Sequence, residues 1–217
     1  MRASKAKTEI RQQQIARAAT RLLAKRGWEQ VSLAGIAKAV GVVPSAVYRH
    51  FSGKDQVLDA VRDLVAQSFQ TNLQAARGAT TNPVAQLQQA LARHVDLIAS
   101  GVPVPHIILC EDVFTGSPRH RRRVQAIYQA YLGEIAAIIR DGQNQNLIRR
   151  ELAADTLSLM WLGLVQTPAI LWLVSREGFD LRQHCERAWQ LFAEAIQPSR
   201  SNKLKVSIPS INHEDRN

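Results

Sequence analysis

The residues best placed to do chemistry are Ser45, Ala46, Tyr48, Arg49 and His50, near the end of the stretch Ser32 to Phe51, SLAGIAKAVGVVPSAVYRHF. Together they offer a hydroxyl, a small methyl, a phenol, a guanidinium and an imidazole. Such a short, mostly polar face with a cation and two rings suits DNA better than a protein core. The sequence contains no glycine-rich phosphate loop, no Gly-x-Ser-x-Gly, no metal quartet and no convincing carboxylate pair, which argues against an enzyme. His106, Cys110 and Glu111 stand at helical spacing and would make half a metal site with His94 or His120. With no second tight pair they read as a buried histidine and a buried thiol, and neither a metal nor a cofactor is expected.

The elements that hold this face are two short helical patterns meeting at a glycine. Leu33, Ile36, Ala37 and Val40 repeat at helical spacing, Gly41 breaks the pattern, and Val42 and Val47 resume it. The spacing predicts a helix-turn-helix. Ser32 caps the first helix through its hydroxyl, and Gly41 takes the left-handed backbone just beyond that helix. Pro44 fits the first turn of the second helix, where a missing N–H costs nothing. Val47 and Phe51 read as core. Gly35 costs the first helix about 1 kcal/mol relative to alanine and reads as tolerated.

Charge is concentrated beside this motif. The chain has 217 residues and a net charge of +10, and residues 1–54 carry 11 Lys and Arg against Glu9 and Glu29. The remainder holds 17 basic against 16 acidic residues, so nearly all the excess lies where phosphates would need neutralising. Two cysteines, Cys110 and Cys185, form no disulfide framework and have no obvious resolving partner, which fits a reducing cytoplasm. No apolar leader precedes the first helical pattern. Leu157 to Val174 is apolar enough to be weighed as a membrane span, but Ser158, Gln166, Thr167 and Pro168 interrupt it.

The rest of the chain reads as helical, with no credible strand. A basic arm over residues 1–7 precedes a helix from Thr8 to Arg26, which Gly27 ends. A fourth helix starts at Lys54 and runs to about Arg77; Asn82-Pro83 opens a fifth, which Gly101 closes. Pro103 to Phe114 reads as a short apolar helix, and Ser117-Pro118 opens a long one to about Asp141, headed by the Arg119 to Arg123 cluster. That cluster reads as a solvated helix start, with an acidic effector as the alternative. Asp155 is expected to cap a helix to about Arg176, and a last helix spans Leu181 to Ile196. Nine helices are expected. The boundaries place a DNA-binding domain at 1–53, a helical regulatory and dimerisation domain at 54–197, and a polar tail at 198–217.

The first helix ending in Gly27, then Ile36-Ala37, Val40-Gly41-Val42, Tyr48-Arg49-His50-Phe51, Lys54 and Leu58, resembles the TetR family of bacterial transcriptional regulators over about residues 8–60. The resemblance implies a homodimer whose recognition helices enter successive major grooves of a near-palindromic operator. It also implies a small molecule bound in a helical second domain that dimerises through its last two long helices. Carried onto this sequence, Pro44, Ser45, Ala46 and Arg49 face the groove, Tyr48 and His50 meet phosphates, Lys54 adds a cation at a helix start, and Ser32 completes the DNA-binding set. Val43 departs from the pattern, standing where a small hydroxyl residue is common, so a cap or phosphate bond is missing.

For the second domain, His94, His106, Tyr128, Tyr131, Trp161, Gln166 and Trp172 are the candidate ligand residues, apolar walls with a few polar groups. Leu157, Leu164, Leu181, Cys185, Ala188 and Phe192 are the candidate dimer seam. Two functions stay open: a ligand-responsive repressor, and a DNA-binding protein controlled without a small molecule.

Overall fold

The computed structural model describes residues 2–27, 29–102, 104, 118–175 and 179–198, with the backbone alone described for residues 2–7. Eight helices and no strand occur among the described residues. They are α1 (Arg2–Arg26), α2 (Leu33–Val40), α3 (Pro44–Tyr48), α4 (Lys54–Ala79), α5 (Pro83–Ala99), α6 (Pro118–Asn144), α7 (Ala154–Val174) and α8 (Leu181–Ile196). Apart from Val104, the ninth helix expected at Pro103 to Phe114 lies outside the described residues, as does the tail beyond Pro198. The expected arm at residues 1–7 differs from what is found, because α1 runs as helix from Arg2. Nothing in that segment breaks a helix: it contains neither Gly nor Pro.

Local chemistry sets most helix ends. Gly27 takes φ 74° and its N–H returns to Leu23 O at 2.9 Å, closing α1. Ser32 Oγ accepts from Gly35 N at 3.0 Å, and Gly41 at φ 76° sends its N–H back to Lys38 O. A Cβ at Gly35 would stand 3.2 Å from Ser32 Oγ, so the glycine leaves room for the capping hydroxyl. Asn82 Oδ1 accepts from Val84 N and Ala85 N ahead of Pro83, as the sequence suggested for α5. Asp155 does not cap α7. The cap position is Ala153 with no side-chain bond, and Asp155 lies within the first turn, where its charge still faces the positive end of the helix.

α1 packs on α2 and α4, α4 on α5 and α6, and α6 on α7, while α8 covers α5 and α7. One buried apolar cluster runs from Ile15 and Leu23 through Ile36, Val47 and Val57 to Phe69, Ile135, Trp161 and Phe192. The apolar span weighed as a membrane segment is α7. It is long and apolar enough to cross a membrane, yet Leu157, Trp161, Leu162, Val165 and Ala169 are buried against this chain's own helices.

Gly142 marks the tightest approach in this packing: an added Cβ would lie 2.6 Å from Ile148 Cδ1 and 3.3 Å from Pro83 Cβ. Ile148 is itself 1% exposed and has little space into which to turn. Gly142→Ala is therefore expected to lower stability by about 1–3 kcal/mol through overpacking. Thermal or urea unfolding of the variant checks this, and an unchanged midpoint contradicts it.

Candidate DNA interface and regulatory cleft

α3 is only five residues long, and burial holds it in place. Val47 is fully buried and Phe51 is 6% exposed, so both anchor the motif as expected. Pro44 occupies the first turn, and Val43 caps the helix with no side-chain bond. Arg49 and His50 were expected on the helix but lie just past its end. Arg49 keeps helical φ and ψ at the C-cap, while the N–H groups of His50 and Phe51 both return to Val47 O and tighten the last turn. Pro44, Ser45, Tyr48 and Arg49 remain exposed, and Ala46 and His50 are half-buried.

Two of the expected DNA residues have structural duties as well. The Ser32 hydroxyl caps α2, and Lys54 Nζ reaches Glu29 O at 3.4 Å, tying α4 to the turn after α1. Gln12, which the sequence did not single out, donates to His50 O at 3.4 Å and links α1 to the end of the motif. Val43 is exposed and extends the face with an apolar side chain.

The Arg119 to Arg123 cluster is not simply solvated. Arg119 bonds Asp59 Oδ2 at 2.9 Å, Arg123 stands 3.6 Å from Asp59 Oδ1 and also pairs with Asp63, and Arg62 lies 3.4 Å from Asp59 Oδ1. Asp59 is 8% exposed and Arg62 fully buried. The result is an ionic clasp between the first turns of α4 and α6, in a cleft whose wall also includes His50 and Gln12. The signal was present in the sequence as two pairs at four-residue spacing, Asp59/Asp63 and Arg119/Arg123, but it has no meaning until the two helices are paired.

In the second half of the chain, the structure gathers some of the candidate ligand residues and separates others. His94 Nδ1 lies 3.0 Å from the Tyr131 hydroxyl, and Phe69 stacks on Tyr131 with centroids 4.4 Å apart. Trp161 meets Tyr131 edge-on and donates its indole N–H to Leu87 O at 3.2 Å. Gln166 donates to the Tyr128 hydroxyl, and Trp172 packs half-buried against the core. A cleft of about 380 Å³ between α4 and α6 is floored by Phe69, Leu73, Ile127 and Tyr131 and rimmed by Arg77 and Glu134, so α4 supplies walls that the sequence reading placed on α7. Burial raises the Tyr128 and Tyr131 phenols well above their usual range and lowers His94 from 6.5 to about 3, leaving a neutral imidazole. His106 lies outside the described residues, as do Cys110 and Glu111; within the described residues no three metal-ligating side chains converge.

The candidate dimer seam needs correction. Leu157, Leu181, Cys185 and Phe192 are each at most 5% exposed within the single chain, where they pack among α5, α7 and α8. A seam at alternating three- and four-residue steps faces whichever helix lies nearest, and here that helix belongs to the same chain. Leu164 and Ala188 are half-buried. On these two helices the large apolar residues left exposed are Leu159, Met160, Leu171, Leu173 and Val174 of α7 and Leu191 of α8. Burial also raises the Cys185 thiol to about 11, which makes it unreactive as a thiolate.

Residues 15–61 match the family described as bacterial regulatory proteins, tetR family, and residues 64–195 match the C-terminal region of YsiA-like proteins. The chain belongs to the tetR family. It is 28% identical to the HTH-type transcriptional repressor BepR of Brucella suis, over 91% of this chain and 97% of that one. It is 21% identical to the fatty acid metabolism regulator protein of Bacillus subtilis, over 77% and 86%. Among solved structures, FadR of Bacillus subtilis in complex with stearoyl-CoA aligns with TM-score 0.73 at 20% identity, covering 85% of this chain and 98% of that one. AibR in complex with isovaleryl coenzyme A and operator DNA aligns with TM-score 0.65 at 21% identity, covering 83% and 97%. As a tetR-family member the chain is a DNA-binding transcriptional regulator, and α2 to α3 is its helix-turn-helix.

Two consequences of this regulator's geometry are measurable. Asp59→Asn removes the shared carboxylate of the clasp and is expected to cost about 1–3 kcal/mol in chemical denaturation, whereas loss of the more exposed Asp63–Arg123 pair costs under about 1 kcal/mol. Equal effects would contradict the clasp. His94 binds a proton near pH 6.5 when unfolded but only near 3 when folded. The unfolded state therefore holds more protons between those values, and stability falls as pH drops through that window. His94→Phe is expected to make the fall shallower by up to about 1.4 kcal/mol per pH unit, read from urea unfolding at pH 7 and 5.

Proposed function

We propose that this protein is a cytoplasmic, homodimeric repressor that holds a near-palindromic operator through α3 and leaves it when a small molecule occupies the helical second domain. The observation that carries this reading is the exposed face of Pro44, Ser45, Tyr48 and Arg49, fixed from beneath by buried Val47 and Phe51. It lies in the part of the chain that holds nearly all the positive excess. Dimerisation is supported by the exposed apolar side chains Leu159, Met160, Leu171, Val174 and Leu191 on the last two helices, surface that a partner copy would remove from water. Effector binding is supported by the α4–α6 cleft and by the relatives solved with acyl thioesters.

Within the interface, Arg49 discriminates a guanine through paired N–H donors, and Ala46 and Pro44 offer apolar contact to a thymine methyl. Tyr48, His50 and Lys54 serve affinity through phosphates, and Ser32 holds α2 at the backbone.

Selection of bound sequences from random DNA tests the reading and is expected to return two symmetric half-sites about one or more helical turns apart. Arg49→Ala is expected to cost about 1–3 kcal/mol and relax preference at one base position. Lys54→Ala is expected to weaken all sequences alike and lower the salt slope by about 1. Base preference unchanged in Arg49→Ala, or selected sites without two-fold symmetry, would overturn the assignment concerned.

A further inference from the structure

α3 starts at a residue that meets none of the usual demands of a helix start. Val43 holds the N-cap position with φ −73° and ψ 149° and makes no side-chain bond. Serine, threonine, asparagine and aspartate are favoured there because a side-chain oxygen accepts from the first turn, and valine is among the poorest choices. The other helix of the motif follows that rule through Ser32. Burial does not explain the valine either: Val42 beside it packs against the core, while Val43 is 62% exposed. It neither caps nor packs.

The surface beside it is apolar as well. Pro44 is exposed and has no N–H, and the Ala46 N–H is already taken by Val43 O at 2.9 Å. That bond spans three residues, a spacing at which side chains eclipse, so Val43 and Ala46 share one edge of α3. The leading end of this edge therefore offers methyl and methylene groups and no side-chain donor. In the major groove only one of the four bases presents an apolar group, the C5-methyl of thymine.

We propose that Val43 is a specificity-determining residue whose isopropyl group packs on a thymine C5-methyl in each operator half-site. The N-cap of α3 then gives up a bond within the protein for a methyl contact to DNA, and the discrimination at that thymine belongs to Val43 over and above any contact made by Pro44 and Ala46. This rests on the reading of α3 as the helix that holds the operator and gives that reading a second base, besides the guanine assigned to Arg49.

The test uses the full chain and the operator selected from random DNA. If the chain selects no sequence, the functional reading falls and this inference with it. With an operator in hand, each thymine of a half-site is replaced singly by deoxyuridine, which removes the methyl and leaves the base pair and the phosphates in place. Affinity is measured at one salt concentration. At one thymine the replacement is expected to weaken the wild-type protein about fourfold, as loss of one buried methyl implies. At that same position a 5-methylcytosine·guanine pair is expected to bind about fourfold more tightly than cytosine·guanine, because it restores the methyl alone. Val43→Ser returns an oxygen to the N-cap, so thermal unfolding is expected to show it at least as stable as the wild type. It is also expected to lose most of the preference for thymine over deoxyuridine. A valine with a purely structural role would change affinity for both operators by one factor and leave their ratio intact. An intact ratio in Val43→Ser, no deoxyuridine effect at any thymine, a half-site without thymine, or 5-methylcytosine bound no more tightly than cytosine would each overturn the inference while leaving the repressor reading in place.

Discussion

One apolar stripe on one helix governs how this molecule is built. On α4, Val57, Leu58 and Val61 are buried near the helix-turn-helix, and Val65, Phe69, Leu73 and Ala76 continue the stripe into the second half of the chain. A helix with a buried stripe this long must find cover along its whole length. α1 covers it at one end, and α5 and α6 further along. The DNA-reading unit and the regulatory unit therefore share a rigid element, and a displacement of α4 against α6 cannot leave the motif untouched.

The polar groups along the α4–α6 seam give that shared helix its chemistry. At the motif end, Asp59 is held by guanidinium groups from both helices, an arrangement with definite geometry because the carboxylate is nearly out of water. Two to five turns further on, the seam opens into a cleft with an aromatic floor. The seam is ionic where it adjoins the DNA unit and apolar further along.

Much of the interface was legible in the sequence because its determinants are local. A hydroxyl cap, a glycine at positive φ, a proline at a first turn and a buried Val47 act within one or two turns, and each took the position its chemistry requires. The departures also have physical causes. Arg49 and His50 fall beyond α3 because the last turn tightens on the carbonyl of Val47. Asp155 loses its capping role because the chain enters α7 two residues earlier. The second half was less legible: Leu181, Cys185 and Phe192 make a good seam on α8, but periodicity states only that a face is buried and not what buries it.

The sequence by itself determined the all-helical class, the helix-turn-helix and the concentration of positive charge beside it, since propensity, capping and composition are carried by neighbouring residues. Only the tertiary structure decided that Arg119 and Arg123 meet Asp59 and Asp63, that His94 finds Tyr131, and that the cleft's walls come from α4 and α6. Those partners lie 37 to 60 residues apart along the chain. Their meeting is set by how whole helices bury their apolar faces, a global balance that no local pattern records.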